Sequence, residues 1–356
     1  MKGPSKKMKK PVTLADIAAK AKVSVGTVDR VIHKRGRVSK ETEIRVRQIL
    51  EELDYKPNLL ARSLSLSKNH HFAVIVPDES HHVKYWQLPV KGIRRAQEEL
   101  RMYNVHVHFH TFENFSKTSF AKSCERLLTE IPQLDGFLLA PILSEASEKF
   151  INQLPPNIPY VLFDSFIPNT DCITYIGQDA FQSGLQAGKL MHLMMKGEGT
   201  VAIIRWVPQN YNINKRVEGF LQAFEGDANI NCKIYDADRE KAITAFYMTA
   251  EQLCRENQEL KGIFIPSDCA SEVAEYLSTH PNGNEIAVIG YDLTEENIHF
   301  LKEGTINCLI SQRPELQGYQ GIFSLFKSVV LKESVEKKCW MPIDIIMREN
   351  VDYYHN

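Results

Sequence analysis

Apolar residues near the start of the chain recur at intervals of three and four positions. This spacing places them along one side of a helix, while the polar residues between them face water. Three such stretches follow one another, and each predicts a short amphipathic helix. Their apolar positions are Leu14, Ile17, Ala18 and Ala21, then Val28, Val31 and Ile32, then Val46, Ile49, Leu50 and Leu53.

Hydroxyl residues stand where each of these helices would begin. Thr13, Ser24 and Ser39 precede the three apolar stretches. They are good N-caps, because their side-chain oxygens accept hydrogen bonds from the free amides of the first turn. Only Lys22–Ser24 separates the first helix from the second. Two short helices joined by such a turn are typical of a helix-turn-helix motif.

From Phe72 onward, short apolar runs alternate with segments of helical length. The predicted strands lie at 72–76, 105–109, 136–140, 160–163 and 173–176, then at 201–204, 232–235, 262–265, 286–289 and 306–310. This alternation in two halves predicts an α/β core of two doubly wound parallel sheets with helices on both faces. No glycine-rich phosphate loop opens either half, so we predict no nucleotide cofactor, and no cofactor of another kind.

The composition is that of an ordinary globular protein. Of the 356 residues, 43% are hydrophobic and 24% are charged. No apolar run approaches the roughly 20 residues that a membrane-spanning helix needs, and none follows the lysine-rich N-terminus as in a signal peptide. The 7 cysteines include no CxxC pair. Reduced thiols, a cytoplasmic location and no membrane partner are therefore predicted.

Charge is divided unevenly along the chain. Residues 1–68 contain 17 of the 43 lysines and arginines but only 7 of the 44 acidic residues. Residues 69–356 contain the other 26 basic and 37 acidic residues. A small basic unit joined to a large acidic one predicts that only the first part contacts a polyanion such as nucleic acid.

The run Val12–Ile32, with Arg37–Thr42 and Leu53–Asn58 after it, strongly resembles the headpiece of the lactose/purine repressor (LacI) family. Leu59–Leu64 resembles the hinge helix of that family. The resemblance implies a transcriptional repressor that binds a double-stranded, pseudo-palindromic DNA operator as a homodimer. It divides the chain into a basic tail (1–11), a helix-turn-helix headpiece (12–57), a hinge helix with linker (58–68) and an effector-binding core (69–356).

In this family the second helix lies in the major groove, which implies that Val25, Gly26 and Arg30 face base edges. The planar fork of Arg30 can bond guanine O6 and N7 together, or it can hold a phosphate. Gly26 and Asp29 depart from the usual residues of the family, so the base sequence of the operator half-site is not predicted. The full set of implied DNA contacts is Thr13, Leu14, Ser24, Val25, Gly26, Thr27, Arg30, His33, Arg37, Ser39, Asn58, Ala61 and Leu64.

Leu64 matches the side chain that wedges between base pairs from the minor groove. A helix as short as residues 58–65 is marginal in water, so we expect it to fold only with DNA and a partner hinge. A plain linker helix is the alternative.

Several polar residues follow predicted strands, where open parallel sheets bind their ligands. With Ile176–Gly184 and Arg216–Phe220 they resemble the ribose/galactose-binding branch of the periplasmic-binding-protein type I fold. The resemblance implies a small-molecule effector, a carbohydrate, between a first lobe (69–176 and 313–339) and a second lobe (177–312 and 340–356). Carboxylates and an arginine suit sugar hydroxyls, and aromatic rings suit the apolar face of a sugar. The predicted effector contacts are Asp78, Tyr85, Trp86, Asp164, Arg205, Trp206, Arg216, Ser267, Asp268, Asp292 and Gln312.

These side chains also have ordinary structural interpretations. The aromatic residues could serve packing or a subunit contact, and the charged ones could form salt bridges or helix caps. His106, His108 and His110 alternate with apolar residues and so share one strand face. Neighbouring i, i+2 side chains of one strand rarely converge on one ion. We therefore predict an exposed edge-strand face and no metal.

The prediction for function is a regulator whose effector closes the two lobes, repositions the first lobes of a dimer and folds or melts the hinges. An effector can shift such an equilibrium only through its different affinities for the two states. Two alternatives stay open. One is a constitutive DNA-binding regulator with a degenerate pocket. The other is a sugar-processing enzyme with Asp164 and Asp292 as an acid/base pair.

Overall fold

The computed structural model describes residues 14–32, 36, 38–53, 68–79, 84–114, 116–155, 157–195, 197–207, 210–238, 242, 244–257 and 259–354. The chain separates into two compact units, Met1–Lys68 and Asn69–Asn356. Within the described ranges, no helix has both the length and the apolar character needed to cross a bilayer.

The first unit contains the three predicted helices, α1 (Leu14–Ala21), α2 (Val25–Ile32) and α3 (Lys40–Glu52). Ser24 Oγ accepts a hydrogen bond from Thr27 N at 3.1 Å, and Ser39 Oγ accepts one from Thr42 N at 3.3 Å. These two predicted caps are therefore formed, whereas Thr13 lies outside the described residues. The helices share one small core, made of Ile17, Ala18, Ala21, Val28, Val31, Val46 and Ile49.

The second unit is built from strands and helices in alternation. Its strands are β1 (His70–Pro77), β2 (Val105–Phe112), β3 (Gly136–Leu139), β4 (Tyr160–Phe163), β5 (Tyr175–Gly177), β6 (Gly199–Val207), β7 (Ile230–Asp238), β8 (Leu260–Phe264), β9 (Ala287–Tyr291), β10 (Cys308–Ser311), β11 (Lys338–Trp340) and β12 (Asp344–Ile346). Its helices are α4 (Gln87–Leu100), α5 (Lys117–Glu130), α6 (Ser144–Ile151), α7 (Ala180–Met195), α8 (Tyr211–Gln222), α9 (Ala245–Glu256), α10 (Ala270–Thr279), α11 (Glu295–Glu303) and α12 (Pro314–Leu325).

These strands form two six-stranded sheets, in the orders β11-β5-β4-β3-β1-β2 and β12-β10-β9-β8-β6-β7. The predicted α/β class with two parallel sheets is confirmed, with one exception. Strand β12 pairs antiparallel with β10, whereas the other described strand pairs are parallel. The sequence pattern missed β11 and β12, because each spans only three residues and neither forms a continuous apolar run.

Strand β6 shows why the predicted strands read as unbroken apolar runs. Val201 and Ile203 belong to one buried cluster, and Ala202 and Ile204 belong to another. Successive side chains of a strand point to opposite faces of the sheet, so both faces of β6 are covered. A strand that is buried on both faces needs apolar residues at every position.

Strand β2 forms one edge of the first sheet, as predicted. The prediction that all three of its histidines are exposed is wrong for His110. His106 and His108 are exposed, whereas His110 is buried, and its Nε2 lies 3.2 Å from a carboxylate oxygen of Glu130. Helix α5 supplies this carboxylate and covers His110. On β1, Nδ1 of His71 lies 2.9 Å from His108 Nε2. In the described part of the chain, no three histidine, cysteine or acidic side chains are grouped to hold a metal ion.

The chain passes between the two sheets three times, after β5, after β10 and after β11. Gln178, in the first of these segments, is buried and contacts the other two. Its side-chain amide donates hydrogen bonds to Ser311 O at 2.8 Å and to Pro342 O at 2.7 Å. Its carbonyl oxygen accepts a hydrogen bond from Ser183 Oγ at 3.2 Å. One side chain therefore links all three crossing segments.

Candidate functional site

Helix α2 has one buried and one exposed side. Val28 and Val31 pack into the core of the first unit, and Val25, Gly26 and Arg30 are exposed. The residues for which we predicted contacts to bases thus share the accessible side of one helix, which a groove-binding helix requires.

The other residues predicted to bind DNA divide into two groups. Ser24 and Ser39 cap α2 and α3 and stay exposed, while Leu14 and Thr27 are half-buried. The second group lies outside the described residues and its roles stay predictions: Thr13, His33, Arg37, Asn58, Ala61 and Leu64.

In the second unit, nine of the eleven residues predicted to bind an effector line a single cleft. Its empty space is about 470 Å³, which includes its opening to solvent. The nine are Tyr85, Trp86, Asp164, Trp206, Arg216, Ser267, Asp268, Asp292 and Gln312.

Two predicted effector residues need correction, because Asp78 and Arg205 are not among the residues that line the cleft. The guanidinium of Arg205 instead donates to Asp236 on the neighbouring strand β7, at 2.7 Å. Asp78 follows β1, and its backbone amide donates to Phe112 O at 2.8 Å. A position at a strand end was therefore not sufficient to place a residue in the cleft.

Four further residues line the cleft that were not predicted from the sequence: Asn114, Ile142, Asn210 and Ile213. Asn114 follows β2, so the rule that selected the other strand ends could have found it. Asn210 caps α8, where its side chain accepts a hydrogen bond from Ile213 N at 2.9 Å. A helix-capping residue shortly after β6 is visible in the sequence, so this signal could have identified Asn210. No pattern distinguished Ile142 from ordinary core residues.

Asp164 stands at the end of β4 and is held from several sides. The hydroxyl of Tyr85 donates a hydrogen bond to its carboxylate. Its backbone amide donates to Gln317 Oε1 at 3.0 Å, and its backbone oxygen accepts from Tyr175 Oη at 3.2 Å. Its φ of 65° is in the left-handed region, as is the φ of 66° at Asp292. Aspartate and asparagine tolerate this region better than most residues.

Arg216 on α8 organises the opposite wall of the cleft. Its Nη1 donates to Pro266 O and its Nη2 to Gln312 Oε1, both at 2.9 Å. Gln312 in turn donates from Nε2 to both carboxylate oxygens of Asp292, at 3.1 Å each. The guanidinium also lies over the ring of Tyr291, 3.9 Å from its centre. These contacts fix the direction of the arginine.

Close packing of α7 on α8 sets the position of Arg216. Gly184 lies against the arginine's backbone, so a Cβ at this glycine would come within 1.9 Å of Arg216 O. Only glycine allows such an approach of two helix backbones. The segment Ile176–Gly184, which carried part of the resemblance, therefore also positions a cleft residue.

Burial changes the acidity of the cleft carboxyl groups. It raises the pKa of Asp164 to about 6, and the charge of Asp268 adds to this, while the Tyr85 hydrogen bond and Arg216 oppose it. Burial also raises the pKa of Asp292 well above its ordinary value, against the opposing charge of Arg216. The negative charges of Asp268 and Asp164 raise it further.

Three polar atoms of the cleft are buried without a hydrogen-bond partner among the described residues. They are Asn114 Oδ1, Arg216 Nε and Ser267 Oγ. Buried polar groups are nearly always hydrogen-bonded, so donors and acceptors of these kinds mark a surface suited to a polar ligand. Two buried tryptophans, Trp86 and Trp206, supply apolar wall beside them.

Near this cleft, a salt bridge joins the part of the second unit built on the first sheet, called the first lobe below, to the part built on the second sheet, called the second lobe. Lys84 directly precedes Tyr85, and its ammonium lies 2.9 Å from Glu295 Oε2 and 2.8 Å from Glu296 Oε1. Both glutamates stand in the first turn of α11, shortly after Asp292. This Lys84 bridge connects the lobes at a place separate from the three crossing segments.

Two family models match this chain. The model described as "Periplasmic binding protein domain" matches residues 72–332, and "Bacterial regulatory proteins, lacI family" matches residues 13–58. Together they cover both units of the structure.

Relatives and solved structures agree with these matches. The HTH-type transcriptional regulator MalR of Streptococcus pneumoniae is 27% identical over 323 residues, which cover 86% of this chain and 91% of that protein. The ribose operon repressor of Halalkalibacterium halodurans is 28% identical over 79% of this chain and 80% of its own. A Bacteroides fragilis protein assigned as a LacI transcriptional regulator has a TM-score of 0.74 at 29% identity, and covers 81% of this chain and 100% of that one. GanP, a glucose-galactose binding protein from Geobacillus stearothermophilus, shares the fold with a TM-score of 0.70 at 20% identity, over 80% of this chain and 99% of its own.

Proposed function

Because this chain belongs to the LacI family of bacterial regulatory proteins and carries a periplasmic-binding-protein core, we propose that it is a DNA-binding transcriptional regulator whose affinity for its operator is set by a carbohydrate effector. The part of this proposal that concerns the effector rests on one observation. Residues between positions 85 and 312, selected from the sequence as effector contacts, converge on one cleft. We propose that the active form is a homodimer on a pseudo-palindromic operator in the cytoplasm, and that it acts as a repressor.

The chemistry of the cleft favours a polyhydroxylated ligand. Its carboxylates accept hydrogen bonds from hydroxyl groups, and Arg216 Nε can donate one. The hydroxyl of Ser267 can do both, and aromatic walls suit the apolar face of a sugar ring. The names of two similar proteins point the same way, since one is a ribose operon repressor and GanP is a glucose-galactose binding protein.

DNA binding is tested with the full-length chain and duplexes selected from a random library. Because Arg30 lies on the exposed side of α2, Arg30→Ala should lower affinity for the selected duplex by about 1–3 kcal/mol, roughly fivefold to 150-fold. The matched control is Arg47→Ala, because Arg47 is exposed on α3, where it pairs with Glu43. Fluorescence anisotropy at several salt concentrations measures both. Equal losses in the two variants would contradict base reading by α2.

Effector binding is tested with a matched pair of serines. Ser267 and Ser165 are both buried, and neither Oγ has a hydrogen-bond partner among the described residues. Ser267 lines the cleft, and Ser165 is not among the described lining residues. Since a hydrogen bond contributes about 0.5–1.5 kcal/mol, Ser267→Ala should weaken carbohydrate binding about two- to tenfold. Ser165→Ala should leave it unchanged. A carbohydrate that binds but never shifts the affinity for DNA would refute the proposed regulation and favour the constitutive alternative.

The enzyme alternative has one observation in its favour. Two carboxyl groups with raised pKa, the partly buried Asp164 and the buried Asp292, line one cleft, as catalytic acids often do. The two functions are separated by incubating the protein with bound sugar and analysing the sugar by mass spectrometry. We expect it to be recovered unchanged. Product formation that Asp292→Asn abolishes, while binding survives, would establish the enzyme instead.

A further inference from the structure

The charges that line the cleft are unequal. Its described lining residues include three aspartates, Asp164, Asp268 and Asp292, and one cationic side chain, Arg216. Asp292 is buried and Asp164 and Asp268 are partly buried. With all four groups ionised, this set carries two more negative than positive charges.

Arg216 does not offset this imbalance through ion pairs. Both of its terminal nitrogens are used in bonds to neutral oxygens, Pro266 O and Gln312 Oε1. Its planar face is covered by the ring of Tyr291. Nε has no hydrogen-bond partner among the described residues, and each terminal nitrogen keeps one further N–H. These N–H groups suit the hydroxyl oxygens of a ligand, because the bonds to Pro266 O and Gln312 Oε1 already fix the direction of the guanidinium.

The three carboxylates are contacted by neutral groups. Asp164 accepts a hydrogen bond from the Tyr85 hydroxyl, and Asp292 accepts from the Gln312 amide. Asp268 Oδ1 lies 3.5 Å from the Cys269 thiol sulfur. Across the described ranges, no lysine, arginine or histidine nitrogen lies within the 4.0 Å of an ion pair from any of the three.

Excess negative charge in a buried site has two remedies. The carboxylates can bind protons, which the raised pKa values of Asp164 and Asp292 indicate, or a bound cation can neutralise them. A neutral sugar removes water without supplying charge. A sugar acid or phosphate adds more negative charge, which costs further energy in a low-dielectric site.

We propose that the effector is a carbohydrate that carries a positively charged amine, bound among Asp164, Asp268 and Asp292. This inference rests on the proposed function, because it specifies the chemical class of the effector in the same cleft. The hydroxyl groups of the ligand pair with Arg216 Nε, Ser267 Oγ and Asn114 Oδ1. The ammonium supplies the charge that the lining residues lack.

The first test compares matched sugars on the full-length protein. Calorimetric titrations at pH 6.5 and low salt use glucose and galactose, each as the neutral sugar, the 2-amino sugar, the 2-acetamido sugar and the uronic acid. A hydrogen bond to a charged group contributes more than a neutral one. We therefore expect the amino form to bind at least tenfold more tightly than its neutral counterpart, and the uronic acid to bind worst. Equal or tighter binding of the neutral or acidic form would overturn the proposal.

The second test needs no ligand. Asp292→Asn keeps the side-chain shape and suits the left-handed backbone, and it removes a buried carboxyl group whose ionisation no cation offsets among the described residues. We expect it to raise the Tm of the ligand-free protein. Asp344→Asn is the matched control, because Asp344 is ion-paired with Arg313 at 2.6 Å and its neutralisation should lower the Tm. If both variants lower the Tm equally, the cleft has no charge excess and the inference fails.

The two tests also separate this inference from the proposed function. If neutral sugars bind and shift the affinity for DNA while amino sugars do not, the proposed function stands and the inference is wrong. If no sugar binds in any form, the carbohydrate part of the proposed function fails, and the Tm comparison alone decides the inference. In Asp292→Asn the preference for the amino form should fall at least several-fold. An unchanged preference would contradict the proposed role of Asp292.

Discussion

Gln178 contacts all three segments that join the lobes, and replacing it by alanine removes those links at once. The side chain is 1% exposed and donates two short hydrogen bonds to the backbone oxygens of Ser311 and Pro342. A buried acceptor that loses its donor costs about 1–3 kcal/mol. Gln178→Ala should therefore lower the free energy of unfolding of the second unit by about 2–4 kcal/mol, since local relaxation and water recover part of the loss.

Thermal and urea unfolding measure this effect. For a unit of this size, the expected loss lowers the Tm by about 4–12 °C. Gln182→Ala is the matched control, because Gln182 is exposed on the first turn of α7 and its side chain has no comparable role. It should change stability by less than about 0.5 kcal/mol. The reasoning is refuted if the two alanine variants unfold alike.

A second substitution separates the hydrogen bonds from the lost volume. Gln178→Glu keeps the size of the side chain but replaces the amide donor by an oxygen that faces two carbonyl oxygens. It should destabilise the unit at least as much as alanine does. A stable glutamate variant would show that packing, and not the shared amide, holds the crossing segments together.

The two remaining predictions concern the cleft and its edge. Lys84→Met removes the bridge to Glu295 and Glu296, so stopped-flow fluorescence should show faster release of the effector than in wild type. This difference should shrink at high salt, because salt screens the bridge. The control is Lys91→Met, which breaks a pair with Glu315 inside the first lobe and should leave the release rate unchanged. Asp164→Asn tests the raised pKa of Asp164. Between pH 3.8 and about 6, the folded state binds more protons at this carboxyl group than the unfolded state does. The free energy of unfolding of wild type should therefore fall as pH rises through that window. The Tm of the asparagine variant should therefore exceed that of wild type at pH 7 and match it below pH 3.8, and a constant difference at all pH values would contradict the assignment.

The elements that the sequence predicted well are those whose signals are local. Strand β4 was predicted at its observed bounds, because a strand covered on both faces reads as one apolar run. Ser24 and Ser39 marked helix starts, because a cap acts within three residues. His110 was misjudged, because period-two alternation reports a shared face but not the helix that covers part of it.

Most residues that line the cleft could be predicted from the sequence, but the contacts between them could not. Asp164, Arg216 and Asp292 were selected by their positions after strands and by resemblance, and the structure brings them to one cleft. No local pattern indicated that Gln312 would stand between Arg216 and Asp292, because that contact joins residues 96 positions apart. The same holds for Gln178, whose partners Ser311 and Pro342 are 133 and 164 positions away in sequence. Arg205 shows the converse, since a strand-end position led to a pair within the sheet.

The left-handed backbone at Asp164 and Asp292 restricts how this protein can acquire new ligands. At these two positions a larger or branched residue must distort the turn that holds it, while asparagine and glycine keep the turn intact. Natural variation or engineering can therefore exchange a carboxylate for an amide, or delete it, without rebuilding the surrounding loop. Descendants of this protein would change the charge of the molecules they detect more readily than the size of those molecules.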